Sequence, residues 1–141
     1  MNSMAPTRPA VQRPLRLSLP VGPAAAAQAR RHVQAAISAW DVPVDPFVAA
    51  LLTSELVTNA IRYESGESIK VFITCSCGHL RVYVHDSSRA WPLRMEAPPD
   101  AESGRGLLLV SRLATEWGTY RTPTGKAVFF TLELSESATG G

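Results

Sequence analysis

Glu55 and Asn59 stand four residues apart in a stretch, residues 46–63, that is otherwise largely apolar. At about 100° per residue, Val48, Leu52, Glu55 and Asn59 fall on one narrow helical stripe. Ala49, Leu56 and Ala60 flank it, and Val57 and Ile61 cover another side. A carboxylate and an amide one turn apart point at the same spot. Burying either without a partner costs several kcal/mol. Two readings account for the pair. It can hold a hydrated divalent cation or orient a water or hydroxyl. Alternatively, Glu55 pairs with a core arginine such as Arg62 and Asn59 caps a neighbouring element.

Two further places break the pattern. Asp86 extends the face formed by Leu80, Val82 and Val84 by one step, so its carboxylate points to the core side at a strand end. There it can accept a hydrogen bond from an exocyclic amine such as that of adenine, or simply form a turn before Ser87-Ser88. Ser103-Gly104-Arg105-Gly106-Leu107 precedes a helical stretch. Glycines allow close backbone approach, and a helix start offers unpaired N–H groups to a phosphate. It is not a P-loop, because no Gly-Lys-Ser/Thr follows, and it lacks the third glycine and the leading strand of a Rossmann fingerprint.

The elements that must position these groups are legible from periodicity. Leu15, Leu17 and Leu19 predict a strand ended by Pro20. Residues 23–40 predict a helix with Ala26, Ala29, Val33, Ile37 and Trp40 on one face, closed by Pro43. Asp45-Pro46 predicts the start of a second helix running to about Tyr63, with Gly66 in the loop beyond. Ile69, Val71, Ile73 and Cys75 form a strand, Gly78-His79 a turn, and Leu80, Val82 and Val84 the returning strand. Residues 87–103, with Pro92, Pro98 and Pro99, lack a period and predict a functional or disordered loop. A third helix is expected from near Gly106, with Leu107, Val110, Ala114 and Trp117 on one face and Gly118 as its stop. Residues 119–121 and 127–134 then form a hairpin around Pro123-Thr124-Gly125. The order β-α-α-β-β-loop-α-β-β predicts an α+β fold: a two-layer α/β sandwich with a mixed, mostly antiparallel sheet and helices on one face. Residues 15–134 form one domain, between disordered tails at 1–14 and 135–141.

The whole chain has 141 residues, a net charge of +2, 45% apolar and 18% charged residues. That suits a single domain and gives no strongly nucleic-acid-binding surface. Lys70 and Lys126 are the only lysines. Two cysteines do not make a disulfide scaffold and indicate a reducing compartment. No stretch approaches the roughly 20 apolar residues of a membrane span, and no apolar region follows the basic N-terminus as in a secretory signal. The expected location is the cytoplasm. Cys75-Ser76-Cys77-Gly78-His79 is one ligand short of a structural zinc site, and two cysteines on one strand face make poor disulfide geometry. Trp40 and Trp117 read as core and Trp91 as a loop residue. His85 reads as facing the opposite sheet surface, and Arg30, Arg31 and Arg112 as solvated.

Ser54-Glu55-Leu56-Val57-Thr58-Asn59-Ala60-Ile61-Arg62 resembles the N-box of the GHKL (Bergerat-fold) ATPases. Val82-Tyr83-Val84-His85-Asp86 is similar to their first glycine box up to its Asp. Gly104-Arg105-Gly106-Leu107, followed by Leu108-Leu109-Val110, is similar to the second, and Gly125-Lys126-Ala127-Val128-Phe129 to the final turn and strand. Within that superfamily the chain resembles, over about residues 15–134, the small anti-sigma-factor serine kinases and their histidine-kinase-like relatives. The resemblance implies ATP and Mg2+ as cofactors. Asn59 would coordinate the Mg2+ and Glu55 would act as general base. Asp86 would bind the adenine amino group. Arg62, Gly104, Arg105, Gly106 and Leu107 would complete the cofactor contacts.

It further implies a protein serine kinase that binds a sigma factor and phosphorylates a STAS-type anti-anti-sigma partner. No direct nucleic-acid or membrane contact is expected, and a homodimer with residues 15–19 at its edge is one option. The chain departs from the family at Ser87-Ser88-Arg89-Ala90, where two glycines normally follow the Asp. Lys126-Ala127 stands where a Thr usually follows the final Gly, leaving Thr131 as a distant substitute. These departures support the alternative, a non-catalytic nucleotide- or partner-binding switch.

Overall fold

A computed structural model describes residues 14–63, 66, 68–87 and 110–135. The strand β1 (Leu15–Pro20) leads into the helices α1 (Ala25–Trp40) and α2 (Pro46–Tyr63). The strands β2 (Ser68–Ser76), β3 (His79–Asp86), β4 (Glu116–Thr122) and β5 (Gly125–Glu133) follow. The sheet order is β1-β2-β3-β5-β4, and every pairing is antiparallel. Among the described residues the sheet is antiparallel throughout, in keeping with the expected mostly antiparallel sandwich, and β1 and β4 are its described edges.

Register aligns the apolar alternation of every strand. Leu15, Ile73, Val82, Phe130 and Trp117 form one row across the sheet, and Leu17, Val71, Val84 and Val128 the next. These rows face the helices. α2 packs over β2, β3 and β5, while α1 packs on α2 and on β1 and β2. Ala29, Val33, Leu52, Leu56 and Val57 are fully buried between the layers. Burying each such large aliphatic side chain contributes roughly 1.5–3 kcal/mol.

α2 starts as its sequence dictates. The Asp45 carboxylate accepts hydrogen bonds from Phe47 N at 2.9 Å and Val48 N at 3.4 Å, satisfying N–H groups that have no helical partner. α1 begins two residues later than expected. Its end is made by Asp41, which adopts a left-handed conformation and donates its backbone N–H to Ile37 and Ser38. Pro43 is therefore not the stop. The β2–β3 turn is Cys77-Gly78, both with positive φ, one residue earlier than Gly78-His79.

The largest difference lies before β4. Residues 110–113 form a helical turn, but Trp117 belongs to β4 and Gly118 lies inside that strand. Trp117 is half-buried and packs on the core. The spacing of Val110, Ala114 and Trp117 fits a helix, yet Trp117, Thr119 and Arg121 also alternate as a strand. Pairing decides: Thr115 N donates to Thr131 O at 2.8 Å, and the β5 ladder continues from there. Gly118 has a packing reason, because a Cβ there would lie 2.9 Å from the Phe129 ring. The start of that helical turn, the loop with Trp91 and, apart from Pro14 and Ser135, both expected tails lie outside the described residues; Ser135 N donates to Pro43 O at 2.9 Å.

Candidate functional site

α2 places Glu55 and Asn59 on its stripe as its periodicity requires. Glu55 is half-buried and Asn59 is 4% exposed. Neither Oδ1 nor Nδ2 of Asn59 has a hydrogen-bond partner among the described residues. The contrast with Thr53, one turn earlier, is direct: its buried hydroxyl donates to Ala49 O at 2.8 Å. A buried amide without partners is costly, and such groups are rare in native proteins. This amide suits a ligand that takes both an acceptor and a donor. Arg62, in the last turn, is exposed.

Asp86 ends β3 on the helix-facing side and is 1% exposed. Both carboxylate oxygens accept hydrogen bonds from Lys126 Nζ at 2.9 Å, and both side chains of this ion pair are fully buried. Register explains the meeting, because Asp86 and Lys126 are directly opposed across β3 and β5. Gly125 brings the two strand ends together. A Cβ there would run into the Asp86 carbonyl oxygen and lie 2.7 Å from Ser87 Cα. The turn therefore admits only glycine without a backbone shift.

Lys126 is the residue that the sequence reading undervalued. Its signal was present: Lys126, Val128, Phe130 and Leu132 share one period-two phase, which puts the ammonium on the core side opposite Asp86. Thr131 does not substitute for the missing family Thr. It pairs with Arg81 on the far sheet face, away from Asp86, and its buried hydroxyl has no partner among the described residues. Gly104, Arg105, Gly106 and Leu107 lie outside the described residues.

The far sheet face carries Tyr83, Phe129 and Tyr120, with ring centroids 5.6–6.5 Å apart. Arg16 lies over Phe72, and Arg81 over Phe129. A groove of about 520 Å³ there is lined by Lys70, Tyr83 and His85, among others, and includes neither Asn59 nor Asp86. His85 faces this side as expected, with Nε2 2.8 Å from Thr122 Oγ1. Cys75 is buried, and burial pushes its thiol pKa up. Cys77 sits exposed in the turn, so the two do not share a strand face. Among the described residues no group of three His, Cys, Asp or Glu side chains is placed to hold a metal. No helix there is long and apolar enough to cross a membrane.

A family description, histidine kinase-like ATPase domain, matches residues 19–132. The chain belongs to this family. It shares the GHKL fold, a two-layer α/β sandwich, and the family is one of nucleotide-binding ATPase domains. The fold is similar to the RsbU and RsbW domains of a Mycobacterium tuberculosis protein, at 20% identity and a TM-score of 0.65, over 87% of this chain and 33% of that one. Two structures of the blue-light activated histidine kinase EL346 from Erythrobacter litoralis are also similar. One, its histidine kinase domain, is 29% identical with a TM-score of 0.50, over 67% of this chain and 46% of that chain. The other is 26% identical with a TM-score of 0.52, over 77% and 42%. This chain thus spans between a third and a half of each of these three solved structures. No curated protein matches it in sequence.

Of the residues expected to hold a metal–nucleotide group, one fits and one does not. The Asn59 amide, without a partner among the described residues, suits it. The carboxylate of Asp86, by contrast, is already held by Lys126.

Proposed function

We propose that this chain is an ATP-binding regulatory protein of the anti-sigma-factor serine kinase type. It binds a sigma factor and phosphorylates a STAS-type anti-anti-sigma partner on serine. The observation that carries the reading is the buried Asn59 amide, without a partner among the described residues, one helical turn from the half-buried Glu55 carboxylate. Mg2+–ATP, when bound, supplies the phosphoryl group and neutralises its charge. Asn59 Oδ1 would hold the metal from its place on α2. The Glu55 carboxylate accepts the proton of the partner's serine hydroxyl. Glu55 is half-exposed, so a partner hydroxyl can reach it, whereas Asn59 lies deeper. Phosphoryl transfer asks a protein mainly for positioning and charge stabilisation, and two groups on one rigid helix provide positioning. Arg62 adds positive charge at the helix end.

Single-turnover transfer from ATP to a STAS-type partner tests this. Glu55→Ala should slow the step by about 10²–10⁴-fold while leaving Mg2+–ATP affinity within a few-fold. Unchanged transfer by Glu55→Ala removes Glu55 from the mechanism. One observation favours a second reading, a non-catalytic switch: the base-recognition carboxylate, Asp86, is tied to Lys126. Transfer undetectable with the native chain, alongside intact nucleotide or partner binding, selects that reading.

A further inference from the structure

The geometry points to Lys126 as a built-in occupant of the base-recognition carboxylate, so that the site holds a purine nucleotide without selecting the 6-amino group of adenine. This rests on the nucleotide reading above and concerns its specificity. A carboxylate recognises an exocyclic amine by accepting its N–H, and Asp86 has two oxygens for that purpose. Lys126 Nζ is 2.9 Å from both. An ammonium is a stronger donor to a carboxylate than a neutral amine, because the bond is charge-assisted. It is also tethered, whereas a base must give up translational freedom to bind.

The position of Lys126 is built into the fold. Lys126 faces Asp86 by strand register, not by the chance reach of a surface side chain. Gly125, the residue before it, is pressed against the Asp86 and Ser87 backbone. Both side chains are fully buried, so water does not screen the pair, and withdrawing the ammonium would strand a buried carboxylate. Arg121 lies next to Lys126 across β5 and β4, adding a second positive residue to this corner. Asp86 is therefore satisfied with or without a nucleotide. Affinity must come from the Asn59 end of the site and from contacts to the sugar and phosphates.

The test compares ATP with ITP, which carries a 6-oxo group in place of the 6-amino group. Calorimetry with Mg2+ is run on the full chain and on Lys126→Thr, which shortens the side chain and frees the carboxylate. The native chain should bind the two nucleotides within about threefold of each other. Lys126→Thr should bind ATP about tenfold tighter, the scale of one charged hydrogen bond, with ITP affinity unchanged. Binding of ATP by Lys126→Thr with no binding of either nucleotide by the native chain overturns the inference, because the native site then holds no nucleotide. A native preference for ATP of tenfold or more overturns it and leaves the nucleotide reading intact. So does a variant that folds and binds ATP no better than the native chain. If neither folded protein binds either nucleotide at millimolar concentration, both readings fall. Should the variant not fold, the native ATP-to-ITP ratio decides alone.

Discussion

Asn59→Leu should make the nucleotide-free protein more stable while weakening nucleotide binding. The two side chains share the same branching at Cγ, so the replacement changes polarity more than shape and limits the strain of overpacking. Asn59 is 4% exposed and both amide atoms are unpartnered among the described residues. Leaving a buried polar group unsatisfied costs about 1–3 kcal/mol, and removing it should return that amount. For a chain of this length 1 kcal/mol moves Tm by roughly 3 °C, so a rise of about 3–9 °C is expected. The assay is calorimetric unfolding without nucleotide, repeated with Mg2+–ATP. The native chain should gain stability with ligand by mass action, and Asn59→Leu should gain little. Thr53→Val is the control: its hydroxyl is already bonded to Ala49 O, so it should lose up to about 1 kcal/mol. A fall in Tm for Asn59→Leu would show that the amide is satisfied in the folded protein, and the argument for a ligand at this helix face would fail. Stability held back at a binding site is a common pattern, because a group poised for a ligand is poorly served without it.

Three other outcomes follow from the geometry. Asp86→Asn should destabilise the fold by about 3–5 kcal/mol, because it leaves the Lys126 ammonium buried without its counter-charge; the double variant Asp86→Leu/Lys126→Met should recover most of this, and additive losses in a urea double-mutant cycle would contradict the pairing. Gly125→Ala should cost about 1–3 kcal/mol through forced backbone movement, read as a lower urea midpoint; an unchanged midpoint would show that the β3 and β5 ends are not in close approach. Native alkylation at pH 8 should label Cys77 and spare Cys75, whose thiol pKa is raised by burial and whose thiolate fraction is therefore lowered; equal labelling before unfolding would refute that placement.

Local patterns were enough for most of this fold, because most of its elements announce themselves over short distances. Asp45-Pro46 caps α2 by a contact between residues two and three apart. The alternation of Leu80, Val82 and Val84 needs only the pleat of a strand. The stripe carrying Glu55 and Asn59 follows from helical geometry alone, and so does the inference that an amide would be buried there. The order of elements then restricts the sheet to a few topologies. The segment from Val110 to Trp117 went the other way. Its spacing serves a helix and a strand about equally, and the β5 ladder settles which one forms after Ala114.

Tertiary structure alone decided the state of Asp86. Its sequence neighbours place it on the core face at a strand end. Forty residues separate it from Lys126, and no local pattern says that their strands will be neighbours in that register. Once β3 and β5 pair, a carboxylate and an ammonium are enclosed together, and in so dry a setting each determines what the other can bind. Types and spacing name the groups able to do chemistry; long-range pairing determines which of them are already engaged with one another.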